Sequence, residues 1–112
     1  MENGTDYRVR GRVLFVRMPE EVDHHSSLEM KRQILRLREQ NPISELVFDF
    51  SDTGFMDSAG IGMLLGRYRE MAAAGGRVYV RRVSPRVSRI LEMSGIYRII
   101  GDWDKRNQEG DR

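Results

Sequence analysis

The sequence predicts one α/β domain, a small mixed and mostly parallel β-sheet with packed helices. Three observations predict it. The chain has 112 residues, enough for a single hydrophobic core. From about residue 44, apolar runs of strand length alternate with longer stretches of helical spacing. The resulting order of strand, helix, strand, helix, strand implies right-handed crossovers between parallel strands. Two further strand candidates at 7–18 flank Gly11 and can pair as a hairpin through Arg10-Gly11.

The elements follow in order. Val13-Leu14-Phe15-Val16 is apolar and rich in β-branched residues, as a mostly buried strand should be. Pro19 stops it. Residues 26–39 carry helical spacing in Met30, Ile34 and Leu37, with Ser26 or Ser27 as the expected cap and Asn41-Pro42 as the stop. Leu46-Val47-Phe48-Asp49-Phe50 reads as a short buried strand, with Asp49 expected to face solvent. A loop at 51–57 leads to a helix from about Ser58 to Ala74, whose stripe is Ile61, Leu64, Leu65, Tyr68, Met71 and Ala72. Gly75-Gly76 ends that helix. Val78-Tyr79-Val80 is the next strand, and Ser84-Pro85 opens a helix closed by Gly95. Tyr97-Arg98-Ile99-Ile100 reads as a last strand. The ordered core is expected over about 7–103, with 104–112 a frayed polar tail of the same single domain.

Composition removes several functions. The absence of cysteine excludes disulfide frameworks, thiolate metal sites and cysteine nucleophiles. With only two histidines, a transition-metal centre is not expected either. Lys and Arg total 19 against 17 Asp and Glu, a net charge of +2, which supplies no concentrated field for nucleic acid. The arginines from Arg77 to Arg98 read as a solvated face. No apolar run approaches the roughly 20 residues of a membrane span. The polar, acidic N-terminus is unlike a secretory signal. These features predict a cytoplasmic protein acting neither on nucleic acid nor in a membrane.

The informative stretch is Asp49 to Tyr68. A buried strand delivers the chain to a loop, and Asp57-Ser58 stand where a helix begins. A hydroxyl there can cap the first-turn amides, and a helix N-terminus favours negative charge. Gly60, Gly62 and Gly66 lie off the apolar stripe, on the side expected to meet solvent. Each interior glycine costs about 1 kcal/mol of helix stability relative to alanine. Three on one helix point to something approaching the backbone closely.

Phe55-Met56-Asp57-Ser58-Ala59-Gly60-Ile61-Gly62 resembles the phosphorylation-site segment of anti-sigma factor antagonists of the STAS type, nearest to their sporulation branch. Leu65-Gly66-Arg67-Tyr68, Asp23-His24-His25, Ser84-Pro85 and Met93-Ser94-Gly95 extend the resemblance over roughly residues 8–101. It implies a STAS fold and a switch without catalytic residues, cofactor or metal. In that family the unmodified antagonist binds an anti-sigma factor that is also an ATP-dependent serine kinase, and so frees the sigma factor. Phosphorylation of the motif serine, here Ser58, releases the partner, and a PP2C-type serine phosphatase restores binding. The implied partner surface comprises Asp23, His24, His25, Asp57, Ala59, Gly60, Gly62, Met63 and Gly66. Ala59 stands where a second serine often occurs, and the family's last helix is not legible after Trp103.

Other readings fit less well. A hydrolase would place Ser58 in Gly-x-Ser-x-Gly with a base and an orienting partner, and neither is legible. An aspartyl-phosphate receiver could use Asp49, Asp52 and Asp57, but the only lysines are Lys31 and Lys105, away from strand ends. A STAS scaffold binding proteins in a stress-sensing or transport complex, without serine phosphorylation, is the alternative.

Overall fold

The computed structural model describes residues 4–110, with side chains to Arg106. The hairpin strands β1 (Asp6–Arg10) and β2 (Val13–Arg17) turn through Gly11, whose φ of 60° suits a residue without a Cβ. The two-residue β3 (Glu21–Val22) leads into α1 (His24–Gln40). β4 (Glu45–Asp49), the two-residue β5 (Phe55–Met56), α2 (Ser58–Ala73) and β6 (Arg77–Arg81) follow. The chain continues through α3 (Pro85–Ser94), a 3₁₀ turn at Ile96–Arg98, β7 (Gly101–Asp102) and α4 (Trp103–Gly110).

Five strands form one sheet in the order β1-β2-β4-β6-β7. Only the β1–β2 pair is antiparallel. The small mixed, mostly parallel sheet expected from the alternation is therefore present. Strand alternation sends Leu14, Val16, Leu46, Phe48, Val78 and Val80 to one face, where they pack with residues of α1, α2 and α3. The opposite face carries a smaller cluster of Val47, Tyr79 and Trp103, edged by Val13 and Phe15. Among the described residues, no helix is long and apolar enough to cross a membrane.

Four local expectations need correction. Tyr97–Ile100 is not a strand: Gly95, at φ 79°, ends α3 and starts the 3₁₀ turn, and pairing with β6 begins only at Gly101. A Cβ at Gly101 would sit 2.9 Å from the Tyr79 ring, so the edge strand needs glycine there. Asp49 does not face solvent. It lies in the central strand, 3% exposed, accepting from the Ser51 amide at 2.9 Å and from Arg81 Nε at 3.0 Å. These bonds outweigh the burial that would raise its pKa and hold it below the usual carboxylate range.

The stretch expected to fray from Asp104 is helical through Gly110, while residues 111–112 lie outside those described. Asp102 Oδ1 accepts the amides of Asp104 and Lys105 at 3.0 and 3.2 Å, an N-cap that starts α4. Trp103 then packs edge-on against Phe15 and Tyr79, and Arg106 lies over the Trp103 ring at 4.6 Å. Asp104 Oδ2 also accepts the backbone N–H of Arg82, which holds φ at 55°. Fourth, the 51–57 segment is not all loop, because Phe55–Met56 pairs with Glu21–Val22.

Candidate partner-binding site

The short β3–β5 pair sets the site. The strands run parallel, with Val22 opposite Met56. Each is followed by an aspartate that caps a helix, Asp23 for α1 and Asp57 for α2. The Asp57 N–H donates to the Val22 carbonyl at 3.1 Å, which extends the pairing by one residue. Two helix N-termini therefore begin side by side on one surface.

Asp23 makes a reciprocal capping box. Its Oδ1 accepts from the Ser26 amide, and its own N–H donates to Ser26 Oγ, both at 3.0 Å. The Ser26 amide bond is the main cause holding the Asp23 carboxyl below its ordinary pKa. The cap is thus Asp23, not Ser26 or Ser27, because the helix starts two residues earlier than the apolar spacing marks. His24 and His25 accordingly stand in the first turn of α1 rather than in a loop, and both are exposed.

At α2 the cap is Asp57, whose Oδ1 accepts from the Ala59 amide at 2.9 Å. Ser58 is the first helical residue and does not cap. It is exposed, and its hydroxyl makes no hydrogen bond among the described residues. The result is a free hydroxyl on a capped turn, beside amides whose partial positive charge favours an anion.

The three glycines divide. Gly60 is buried, contrary to expectation. A Cβ there would lie 2.5 Å from Met56 Cγ and 2.9 Å from Val22 Cγ1, so this glycine lets α2 sit on the β3–β5 pair. Gly62 and Gly66 have open space where a Cβ would go. Met63 is also buried, at the seam with α1. Ala59, Gly62, Met63 and Gly66 form one wall of a groove of about 300 Å³, and His24, Ser27, Leu28 and Lys31 form the other.

Of the α1 wall, sequence reasoning named His24 and missed Ser27, Leu28 and Lys31. Its residues fall at i, i+3, i+4 and i+7, a helical stripe legible once the helix start is moved to His24. It also missed Arg67, 5% exposed, which grips Glu70 with two bonds of 3.0 Å. Arg38 reaches the same carboxylate from α1 at 3.4 Å and ties the two helices together.

The acids weighed for a receiver pocket are engaged separately: Asp49 by Arg81, Asp52 by Arg17 at 3.3 Å, and Asp57 by the Ala59 amide.

Comparison with known proteins identifies the family and the fold. The STAS domain family matches residues 5–109. An anti-sigma F factor antagonist of Paenibacillus polymyxa is 37% identical over 82% of this chain and 79% of its own length. The solved structure of the anti-sigma factor antagonist SpoIIAA in its unphosphorylated form superposes with a TM-score of 0.78, at 29% identity, over 88% of this chain and 86% of that one. The phosphorylated form of the Bacillus cell fate determinant SpoIIAA gives 0.72, at 25% identity, over 96% and 99%. With its fold, its length and its sequence all matched, the chain belongs to the STAS domain family, among relatives that bear the name anti-sigma factor antagonist.

Proposed function

We propose that this chain is an anti-sigma factor antagonist whose binding is switched off by phosphorylation of Ser58. The unmodified form binds an anti-sigma factor with serine kinase activity and so releases the sigma factor. The partner supplies the ATP chemistry, and a PP2C-type serine phosphatase reverses the modification. The antagonist performs no catalysis, needs no cofactor or metal, and acts in the cytoplasm.

The observation that carries this reading is the division of labour between Asp57 and Ser58. Asp57 satisfies the helix cap, which leaves the Ser58 hydroxyl exposed and unengaged. Adding a phosphoryl group there breaks no bond of the fold. It adds about −1.5 to −2 charges and three acceptor oxygens to a surface bordered by a groove and two helix starts. A partner covering that surface must strip water from the new anion, which costs several kcal/mol when no cation receives it.

Incubation with the cognate anti-sigma factor and Mg-ATP, followed by intact mass and site mapping, tests the acceptor. The expected result is one phosphate, on Ser58, absent from Ser58→Ala. Tight binding without modification would overturn the switch and favour a STAS scaffold that works without serine phosphorylation.

A further inference from the structure

The turn that carries Ser58 is joined to the domain through β3 and β5, two residues each, and strands so short specify their own register weakly. The side chains of β5 do not supply it. Phe55 is left 51% exposed, while the adjacent Met56 is 3% exposed. A slip of one residue would turn Phe55, the bulkier apolar side chain, inward and Met56 outward. It would also move Met56 from the place where Gly60 leaves room for it. The register is therefore set from outside the two strands.

Thr53 stands two residues before β5, 5% exposed, and its hydroxyl donates to the Pro19 carbonyl, two residues before β3, at 2.8 Å. That bond has the same spacing in the chain, 34 residues, as the pairs Glu21 with Phe55 and Val22 with Met56. It extends their register toward the N-terminal side as a buried side-chain bond. The Glu20 carbonyl, next to Pro19, accepts from the Gly54 and Phe55 amides at 2.9 and 3.2 Å. The nearby ion pair of Arg17 with Asp52 is more than half exposed at both ends and adds little. Breaking the Thr53 bond leaves a buried carbonyl without this donor, which is unfavourable.

We propose that Thr53 is a positioning residue for the phosphorylation of Ser58: its bond to Pro19 holds β5 in register and so places the Ser58 hydroxyl for transfer. The inference rests on the Ser58 reading above and deepens it. In the transfer, Ser58 Oγ bonds to the γ-phosphorus of the partner's ATP as the bond from that phosphorus to the β–γ bridging oxygen breaks. The hydroxyl proton passes to a base on the partner, and ADP leaves. Such chemistry is sensitive to placement, and a misplacement of about 1 Å can cost on the order of a hundredfold in rate. Partner binding is spread over the starts of α1 and α2 and depends on it less.

Thr53→Val keeps the shape of the side chain and removes the bond, and Thr53→Ser keeps the hydroxyl. The first measurement is single-turnover phosphorylation of the full chain with the cognate anti-sigma factor in excess and Mg-ATP. Thr53→Val is expected to lower the maximal rate about tenfold or more, with the half-saturating concentration of anti-sigma factor within about twofold of wild type. Thr53→Ser should recover most of the rate. Loss of folded protein alone would lower the amount phosphorylated and leave the rate unchanged. The second measurement needs no partner. In native-state hydrogen exchange, Thr53→Val should speed the Gly54, Phe55 and Asp57 amides about tenfold more than those of β4 and β6. An unchanged rate, a change in half-saturation alone, or no rescue by serine overturns the positioning role and leaves the Ser58 switch standing. An equal rise at all these amides, or none, overturns the hold on β5. A wild-type chain that takes no phosphate overturns the Ser58 reading and this inference together.

Discussion

The Asp57 backbone N–H donates to the Val22 carbonyl at 3.1 Å, and through that bond the starts of two helices are held at one place. β3 and β5 are two residues each and give one side chain apiece, Val22 and Met56, to the core. They also position the site: they bring Asp23, 34 residues earlier in the chain, beside the Asp57-Ser58 turn.

The two caps should contribute separately. Asp23→Ala and Asp57→Ala each remove a side-chain acceptor from a first-turn amide, and each should destabilise; for Asp57 the cost is about 1 kcal/mol. In a domain of this size that lowers the melting temperature by roughly 4–8 °C. Thermal melts by circular dichroism check it. Ser26→Ala should lose part of the same stability, because its hydroxyl returns the bond to the Asp23 N–H.

Gly60 and Gly62 should respond in opposite senses to alanine. At Gly60 the new Cβ strikes Met56 and Val22, and the overpacking should destabilise by about 1–3 kcal/mol. At Gly62 the Cβ enters open space, and the helix should gain up to about 1 kcal/mol. Urea unfolding of the two variants separates them. A more stable Gly62→Ala that binds the anti-sigma factor less well would show that this glycine serves the partner rather than the fold.

Acid should weaken the fold through Asp49. Its carboxyl titrates below the usual range in the native state, so its contribution is fully present above the unfolded value of about 4. The contribution is lost as pH falls through the lowered native value. Asp49→Asn should be less stable at neutral pH, because the charge that holds Arg81 is gone. It should also show a flatter fall of melting temperature below about pH 4 than the wild type. Parallel slopes for the two proteins would contradict the assignment.

Trp103 should report the docking of α4. It is the only tryptophan, 8% exposed, and wedged against Phe15 and Tyr79. Its fluorescence should be blue-shifted in the native protein. Trp103→Ala should cost about 3–5 kcal/mol, as removal of a large core aromatic usually does.

The parallel order, the hairpin and the three central strands were legible because continuous apolar runs of strand length and glycine stops are local signals. Ser84-Pro85 and Gly95 were likewise legible, and both bound α3 as read. What escaped was set by tertiary contact. Asp49 looked like a polar strand end and is buried because Arg81, 32 residues away, meets it. α4 carries almost no apolar stripe and is held by Trp103, the Asp102 cap, the Asp104 bond to the Arg82 amide, and Arg106, which stacks on Trp103 and pairs with Glu45. At the site, the motif led to Ser58 and the glycines, but the caps were assigned to hydroxyls when aspartates one or more residues earlier do the work. The rest of the groove wall on α1 was hidden for the same reason, since its stripe starts at a histidine outside the helix as first bounded.

The most direct test of the central claim is the affinity of the anti-sigma factor for two forms of this chain, one unmodified and one bearing phosphate on Ser58 alone. The account predicts that the phosphorylated form folds with the same melting profile and binds on the order of a hundredfold more weakly, equivalent to about 3 kcal/mol. Equal affinity of the two forms would contradict it, and Ser58 would then be no more than an exposed first residue of α2.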